Sequence, residues 1–288
     1  DQLLHLLRKA ARLWREDRAG VLVTGDTLTA HLQQEGQARP GTPSRELVRQ
    51  AVSQFAQSYD ERWGGFGAAP KFPTPHNLIF LLRYAQLAKE EHAREMALHT
   101  LNNMYRGGLF DHVGGGFSRY STDQHWLVPH FEKMLYDNAL LALAYTEAFQ
   151  HTRCPIYGKI TRRTLDYVLR ELSGPQGGFC CGQDADSDGV EGKYYALTPD
   201  ELAQALGGVD GLRFCQWYGI TPEGNFEGKS IPNLLGQSQF DQDSEDMAAL
   251  REQVYAYRLS RTALHRDDKV LTAWNGLAMA ALARAGLV

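Results

Sequence analysis

Residues 106–138 gather in one stretch the side chains that move protons and the rings that hold ligands: Asp111, His112, Phe117, Tyr120, Trp126, His130, Lys133 and Asp137. A loop rich in glycine and aromatics feeds a helix predicted to open with Pro129 at its first position and His130 just after it. On that helix His130, Lys133 or Met134, and Asp137 are three and four residues apart and share a face. The plain alternative is that His130 caps the helix and Lys133 pairs with Asp137 at the surface. Against it, residues 139–145 are almost wholly apolar, and an ionisable row on such a helix is costly unless it faces water or a cavity. Asp111 and His112, bracketed by glycines, are expected across from that face, or else to be simple turn residues.

Further candidates lie downstream. Asp184-Ala-Asp186-Ser-Asp188-Gly189 begins like a calcium loop, but its twelfth position is Tyr195 rather than Glu, so the EF-hand reading fails. A different calcium loop, a bare Asp-rich turn, and catalytic or binding carboxylates at Asp184 and Asp186 stay open. Asn225, Glu227, Lys229 and Asn233 form a polar cluster that serves either a turn or a ligand. Arg266-Asp-Asp268-Lys precedes an apolar helix carrying Trp274 and Asn275, repeating the placement of the 106–138 stretch. With Trp63, Phe66 and Phe72 added, carboxylates, amides and flat apolar faces together suit a polyhydroxylated, sugar-like ligand. Two reactions fit. Glycoside hydrolysis needs two carboxyl groups roughly 5 to 9.5 Å apart, which Asp137, Asp184, Asp186 or Asp268 can supply. Epimerisation or isomerisation beside a carbonyl needs proton transfer, for which His130 and His112 are suited.

Composition narrows the classes. The formal charge of -4 comes from 34 acidic and 30 basic residues without a long run of either sign, which argues against nucleic acid or an anionic membrane as partner. No apolar run approaches the roughly 18 to 20 residues of a spanning helix, and the N-terminal stretch lacks the regions of a signal peptide, so a cytoplasmic location is expected. The four cysteines, Cys154, Cys180, Cys181 and Cys215, include no Cys-x-x-Cys pair and read as structural thiols. No metal and no cofactor is implied.

Helices must position these groups. Residues 1–35 give an amphipathic helix and further short helical patterns, 35–43 read as a linker, and position 1 is not expected to be the natural start. From Thr42 and Pro43 a beat sets in: an amphipathic helix to Tyr59, a loop, and an apolar helix from Thr74-Pro75. The pattern repeats with 92–105 and 129–149, with 156–172 followed by a β-hairpin insertion near 178–197 and short helices at 199–206 and 212–218, and with 243–261 and 271–287. The loops carry Gly64-Gly-Phe, Gly115-Gly-Phe and Gly177-Gly-Phe, 51 and 62 residues apart, with a weaker Gly224-Asn-Phe. A period of this length marks a repeat architecture. An all-α fold follows, an α/α toroid in preference to a helical solenoid, whose repeats run shorter. In a toroid every such loop meets at one rim beside the N-termini of the inner helices, where the dipole favours developing negative charge.

The strings Gly64-Gly-Phe-Gly-Ala-Ala-Pro-Lys-Phe-Pro73, Gly108-Leu-Phe-Asp-His-Val-Gly-Gly-Gly-Phe117, His130-Phe-Glu-Lys-Met-Leu-Tyr-Asp-Asn138, Asp184-Ala-Asp-Ser187, Glu191-Gly-Lys-Tyr-Tyr195, Asn225-Phe-Glu-Gly-Lys-Ser-Ile-Pro-Asn233 and Arg266-Asp-Asp-Lys-Val-Leu-Thr-Ala-Trp-Asn275 resemble the spermatogenesis-associated protein 20-like family over residues 60–288. The resemblance implies a thioredoxin-like domain followed by an (α/α)6 domain similar to six-hairpin glycosidases and N-acylglucosamine 2-epimerases. On that basis residues 1–41 are linker helices at the end of a thioredoxin-like domain missing from this chain. Residues 42–288 are a partial toroid of about four hairpins. Catalytic or binding groups are then expected at His130, Asp137, Asp184 and Asp186, with ligand contacts from Phe72, Asp111, His112, Phe117, Trp126, Lys133, Lys193, Glu227, Lys229, Asp268, Trp274 and Asn275. The alternative is a non-catalytic ligand- or protein-binding scaffold for the thioredoxin-like domain.

Overall fold

The structure, a computed structural model, describes residues 2–35, 41–242 and 244–288. It divides into two compact units, Asp1–Arg49 and Gln50–Val288. In the first, helices α1 (Gln2–Glu16) and α2 (Arg18–Glu35) run on from one another through Asp17, whose N–H donates to the Leu13 carbonyl and whose carbonyl accepts from Val21, and α1 buries no residue. Asp17 caps α2 by accepting the Gly20 N–H at 3.0 Å. Most of the linker read at 35–43 lies outside the described residues. Helix α3 (Arg45–Ser58) follows, started by Ser44, whose hydroxyl accepts the Leu47 N–H, rather than by Thr42.

The second unit is built from helical hairpins. Helices α4 (Pro75–Ala88), α6 (Leu135–Thr152) and α11 (Thr272–Ala285) form its inner layer, with α6 packed between the other two. Helix α6 is apolar because it meets protein on several sides, whereas α4 buries one side and α11 only Ala278 and Ala281. The amphipathic helices α5 (Glu91–Arg106) and α7 (Pro155–Glu171) back α4 and α6 from outside. Helices α8 (Pro199–Leu206), α9 (Gly208–Tyr218) and α10 (Glu245–Arg261) pack on one another and add Leu202, Phe214 and Val254 to the same core. The core runs through Leu78, Leu81, Met96, Leu101, Phe110, Phe117, Leu141 and Tyr145, all fully buried. This alternation of inner and outer helices is the all-α, α/α-toroid arrangement read from the periodicity.

Small strands replace helix at the inner layer's N-terminal end, and here the sequence reading is corrected. Strand β1 (Tyr120–Ser121) pairs antiparallel with β2 (Pro129–His130), and β3 (Lys133–Met134) pairs with β4 (Gly182–Gln183), which pairs in turn with β7 (Arg266–Asp267). Helix α6 therefore starts at Leu135, not at Pro129, and the three-and-four spacing of His130, Lys133 and Asp137 is not a helix face. Ladder bonds to neighbouring loops satisfy the backbone of 129–134 in place of a first helical turn. Thr74 does not cap α4 with its side chain either; it sits at φ 39°. The expected hairpin insertion is present, as β5 (Asp186–Ser187) paired with β6 (Val190–Glu191).

The Gly-Gly-Phe copies fold alike. In each, both glycines take positive φ and the Phe bridges back to an earlier residue: Tyr59 to Phe66, Phe110 to Phe117, Ser173 to Phe179. At Gly116, φ 78°, a Cβ would stand 2.5 Å from the Tyr167 ring, so only glycine fits. Two of the copies are tied to the next inner helix by an asparagine. Asn138 accepts the Phe117 N–H at 2.7 Å and donates to its carbonyl at 3.0 Å; Asn275 does the same for Phe179 at 2.7 and 2.9 Å. Asn138 is completely buried whereas Asn275 is half-buried. Alanine at position 138 strands two buried backbone groups, and at about 1 to 3 kcal/mol for each it should destabilise the protein clearly more than Asn275→Ala in a denaturant titration. Equal losses would refute the clamp reading.

Candidate functional site

The exposed end of the inner layer carries a linked set of groups built on β1, β2 and the first turn of α6. Tyr120 and His130 are directly opposite in the β1–β2 register, and their rings stack at 5.1 Å. Phe72, half exposed, also stacks on Tyr120, at 4.9 Å, so Tyr120 joins the other two rings. His130 Nδ1 lies 2.8 Å from Glu191 Oε1 on the β5–β6 hairpin, and its Nε2 is 3.8 Å from Glu132 Oε2. Glu132 is two residues past His130 in extended chain and so returns to the same side. Its carboxylate takes Arg119 Nη1 at 3.1 Å.

Arg119 and Tyr136 also lie close enough to Asp137 to act on its charge. Trp274, in the first turn of α11, meets the Tyr136 ring edge-on at 4.7 Å. Asp137 is the unusual member. It lies in the first turn of α6, is only 9 % exposed, and its Oδ2 has no hydrogen-bond partner among the described residues. Burial raises its carboxyl pKa to about 7, helped by Glu132, while Tyr136 and Arg119 pull the other way. A carboxyl raised in this way stabilises the fold fully below pH 3.8, and that contribution is lost as pH rises through about 7. Asp137→Asn should therefore flatten the stability profile across this window. An unchanged profile would show that another group is responsible.

The remaining candidates separate into three locations. Asp186 stands opposite Glu191 on the β5–β6 hairpin and is exposed; Asp184 is half-buried at the β4–β7 side, its N–H donating to the His265 carbonyl. Lys193 is paired with Asp188 at 2.7 Å. Lys229 reaches Glu201 at 3.0 Å, and Glu227 is an exposed turn residue at φ 46°. Asn225 and Asn233 bond backbone around Ile231. Asp268 is exposed, and Asn275 is engaged in its clamp.

Five residues expected to contact a ligand lie inside the protein instead: Asp111, His112, Phe117, Trp126 and Lys133. Phe117 stacks on Tyr145 in the core, and Trp126 donates its indole N–H to the Trp63 carbonyl. His112 donates to the Gly107 carbonyl at 3.1 Å, and burial, then the charge of Arg163, push its pKa down to about 3, so the ring is neutral. Asp111 caps its own turn by accepting the Val113 and Gly114 N–H groups. It also holds Lys133 at 2.8 Å and Arg258 through two bonds of 2.9 and 2.8 Å. Lys133 further donates to the Gly115 carbonyl at 2.7 Å. The first repeat has the same device: Lys71 bonds Asp60 at 2.5 Å and the Gly64 carbonyl at 2.8 Å. Both pairs fasten a glycine turn to the strand ahead of an inner helix.

Sequence reasoning missed Arg119, Glu132, Tyr136 and Glu191 as partners of His130 and Asp137. Only the two-residue period from His130 to Glu132 could have pointed to one of them, had the segment been read as extended. No group of three or more His, Cys, Asp or Glu among the described residues is placed to hold a metal ion, and no helix among them is long and apolar enough to cross a membrane.

No family model matches the chain. A human protein named spermatogenesis-associated protein 20 is 36% identical over 98% of this chain and 42% of its own length. The mouse protein of the same name is 35% identical over 98% of this chain and 41% of its own. Among solved structures, cellobiose 2-epimerase from Spirochaeta thermophila superposes with a TM-score of 0.41 at 18% identity, covering 49% of this chain and 41% of that one. So distant a likeness decides nothing about this chain's chemistry. The sequence relationship is of a different order: along nearly its whole length this chain is homologous to the proteins named spermatogenesis-associated protein 20, spanning about two-fifths of the length of those relatives.

Proposed function

We propose that this face carries out proton transfer on a sugar-like substrate, epimerising or isomerising it beside its carbonyl. The observation that carries the reading is the half-exposed His130, held by Glu191 at 2.8 Å and stacked on Tyr120, which also stacks on Phe72. The carboxylate accepts a hydrogen bond from Nδ1–H, so that Nε2 is the nitrogen left to exchange protons with a ligand. The rings offer a flat apolar face for the C–H side of a sugar. Asp137, protonated in part at neutral pH, supplies a second acid–base group, linked to His130 through Glu132 and Arg119.

A raised carboxyl pKa is also what the general acid of a glycosidase requires, so hydrolysis is the competing chemistry. The two separate in D2O with the purified protein and a panel of free aldoses and matching glycosides. Proton transfer beside the carbonyl places solvent deuterium on the sugar carbon. Hydrolysis releases reducing sugar without that label. Neither outcome on any sugar would sink the enzyme reading and favour the scaffold, in which the chain supports a thioredoxin-like domain. That alternative draws on the use of Asp111, Lys133, Phe117 and Trp126 as internal packing.

A further inference from the structure

We infer that the small cavity lined by His112 and Tyr195 is a binding site for one water molecule, which bridges the histidine Nδ1 and the tyrosine hydroxyl. The cavity measures about 10 Å³ and is walled by Phe110 and Phe131, with Ser118 and Asp111 also lining it. One water needs roughly 10 to 15 Å³, and nothing larger fits.

Two independent atoms ask for it. His112 Nδ1 and the Tyr195 hydroxyl are both buried and neither has a hydrogen-bond partner among the described residues, although His112 is only 1% and Tyr195 only 4% exposed. Their chemistry is complementary to water. His112 Nε2 lies 3.1 Å from the Gly107 carbonyl and so carries the ring proton, which leaves Nδ1 as a bare acceptor. The Tyr195 O–H is a donor. A water accepts from Tyr195 and donates one hydrogen to His112 Nδ1, satisfying both at once. The rings cannot turn away to find other partners. His112 is boxed edge-on by Tyr105 at 5.2 Å and Phe110 at 5.4 Å, and Tyr195 lies flat on Phe131 at 5.1 Å. Held in this way, the water locks the histidine tautomer next to Asp111 and so steadies the turn on which Lys133 and Arg258 converge.

Tyr195→Phe tests the inference. If the hydroxyl holds a water, its loss should lower the folding equilibrium constant about fivefold, the worth of one ordinary hydrogen bond. A hydroxyl buried without a partner would be better removed, so an unchanged or raised constant overturns the proposal. A second measurement covers the case in which the variant folds poorly. In the isotope-labelled wild-type protein, a long-lived water should give cross-relaxation signals to the His112 ring and to Tyr195, and the His112 Nδ1 signal should be that of a hydrogen-bonded imine nitrogen. Absence of both in the wild-type protein overturns the proposal.

Discussion

Asp111→Ala is expected to cost about 3 to 5 kcal/mol of stability, the usual toll for stripping one partner from a buried ion pair. Asp111 is 8% exposed, and Lys133 and Arg258 are 1 and 2% exposed. Burial alone would raise the Asp111 carboxyl pKa, but the charges of Arg258 and Lys133 hold it well below the usual range. Its removal leaves two interior cations with no carboxylate bonded to them, and ring contacts with Tyr194 at 4.3 Å and Tyr167 at 4.5 Å replace little of it. Lys133→Met should behave very differently. It leaves Asp111 and Arg258 as a neutral, two-bond pair and removes the odd charge, so a loss much smaller than that of Asp111→Ala is expected by denaturant titration. There is a further signature. Burial, with Arg258 nearby, lowers the Lys133 pKa from 10.5 to about 8. Between those values the unfolded chain holds a proton that the folded one has released, so stability rises as pH goes from about 8 to 10.5. Lys133→Met should abolish that rise. If both variants lose equal stability and the alkaline rise persists, the network is not the electrostatic unit described.

His130→Ala is expected to lower turnover of any sugar the protein transforms by about 10² to 10⁴, the usual contribution of a positioned general acid or base. The fold should tolerate the change, because the ring is half-exposed against Tyr120 and its loss uncovers no buried charge. Glu191→Gln retains a hydrogen-bond acceptor for Nδ1 but removes the negative charge that stabilises an imidazolium. It should therefore weaken kcat less than His130→Ala does, because the ring keeps its orientation and loses only the neighbouring charge. Unaltered kcat and KM in His130→Ala would move the chemistry away from this face, whatever the reaction is.

The helices were legible because each buries one stripe or all of its surface, and a 3.6-residue period writes that into consecutive residues. Pro75 at the first helical position and the Gly-Gly-Phe turns were legible for a similar reason, since few residues tolerate those backbone conformations. The two-residue strands were not. A pair such as Lys133–Met134 is too short for a two-residue period to show, and it exists only because Gly182 and Gln183 arrive beside it from another loop. Reading helix back to Pro129 was the natural extrapolation from an apolar run, and it misplaced His130 and Lys133 together.

By itself, then, the sequence determined an all-α chain of alternating apolar and amphipathic helices, the recurrent glycine turns, and the neighbourhood in which His130 and Asp137 would be found. Tertiary structure decided what each polar residue does. Lys133 and Asp111 look as suited to a ligand as His130 does, yet they are sealed by Arg258, which is 147 residues from Asp111 in the chain. His130 finds Glu191, 61 residues away, and stays at the surface. Whether a charge is exposed or cancelled depends on which distant group packs against it, and that partner is set by how the hairpins stack rather than by any local pattern of residues.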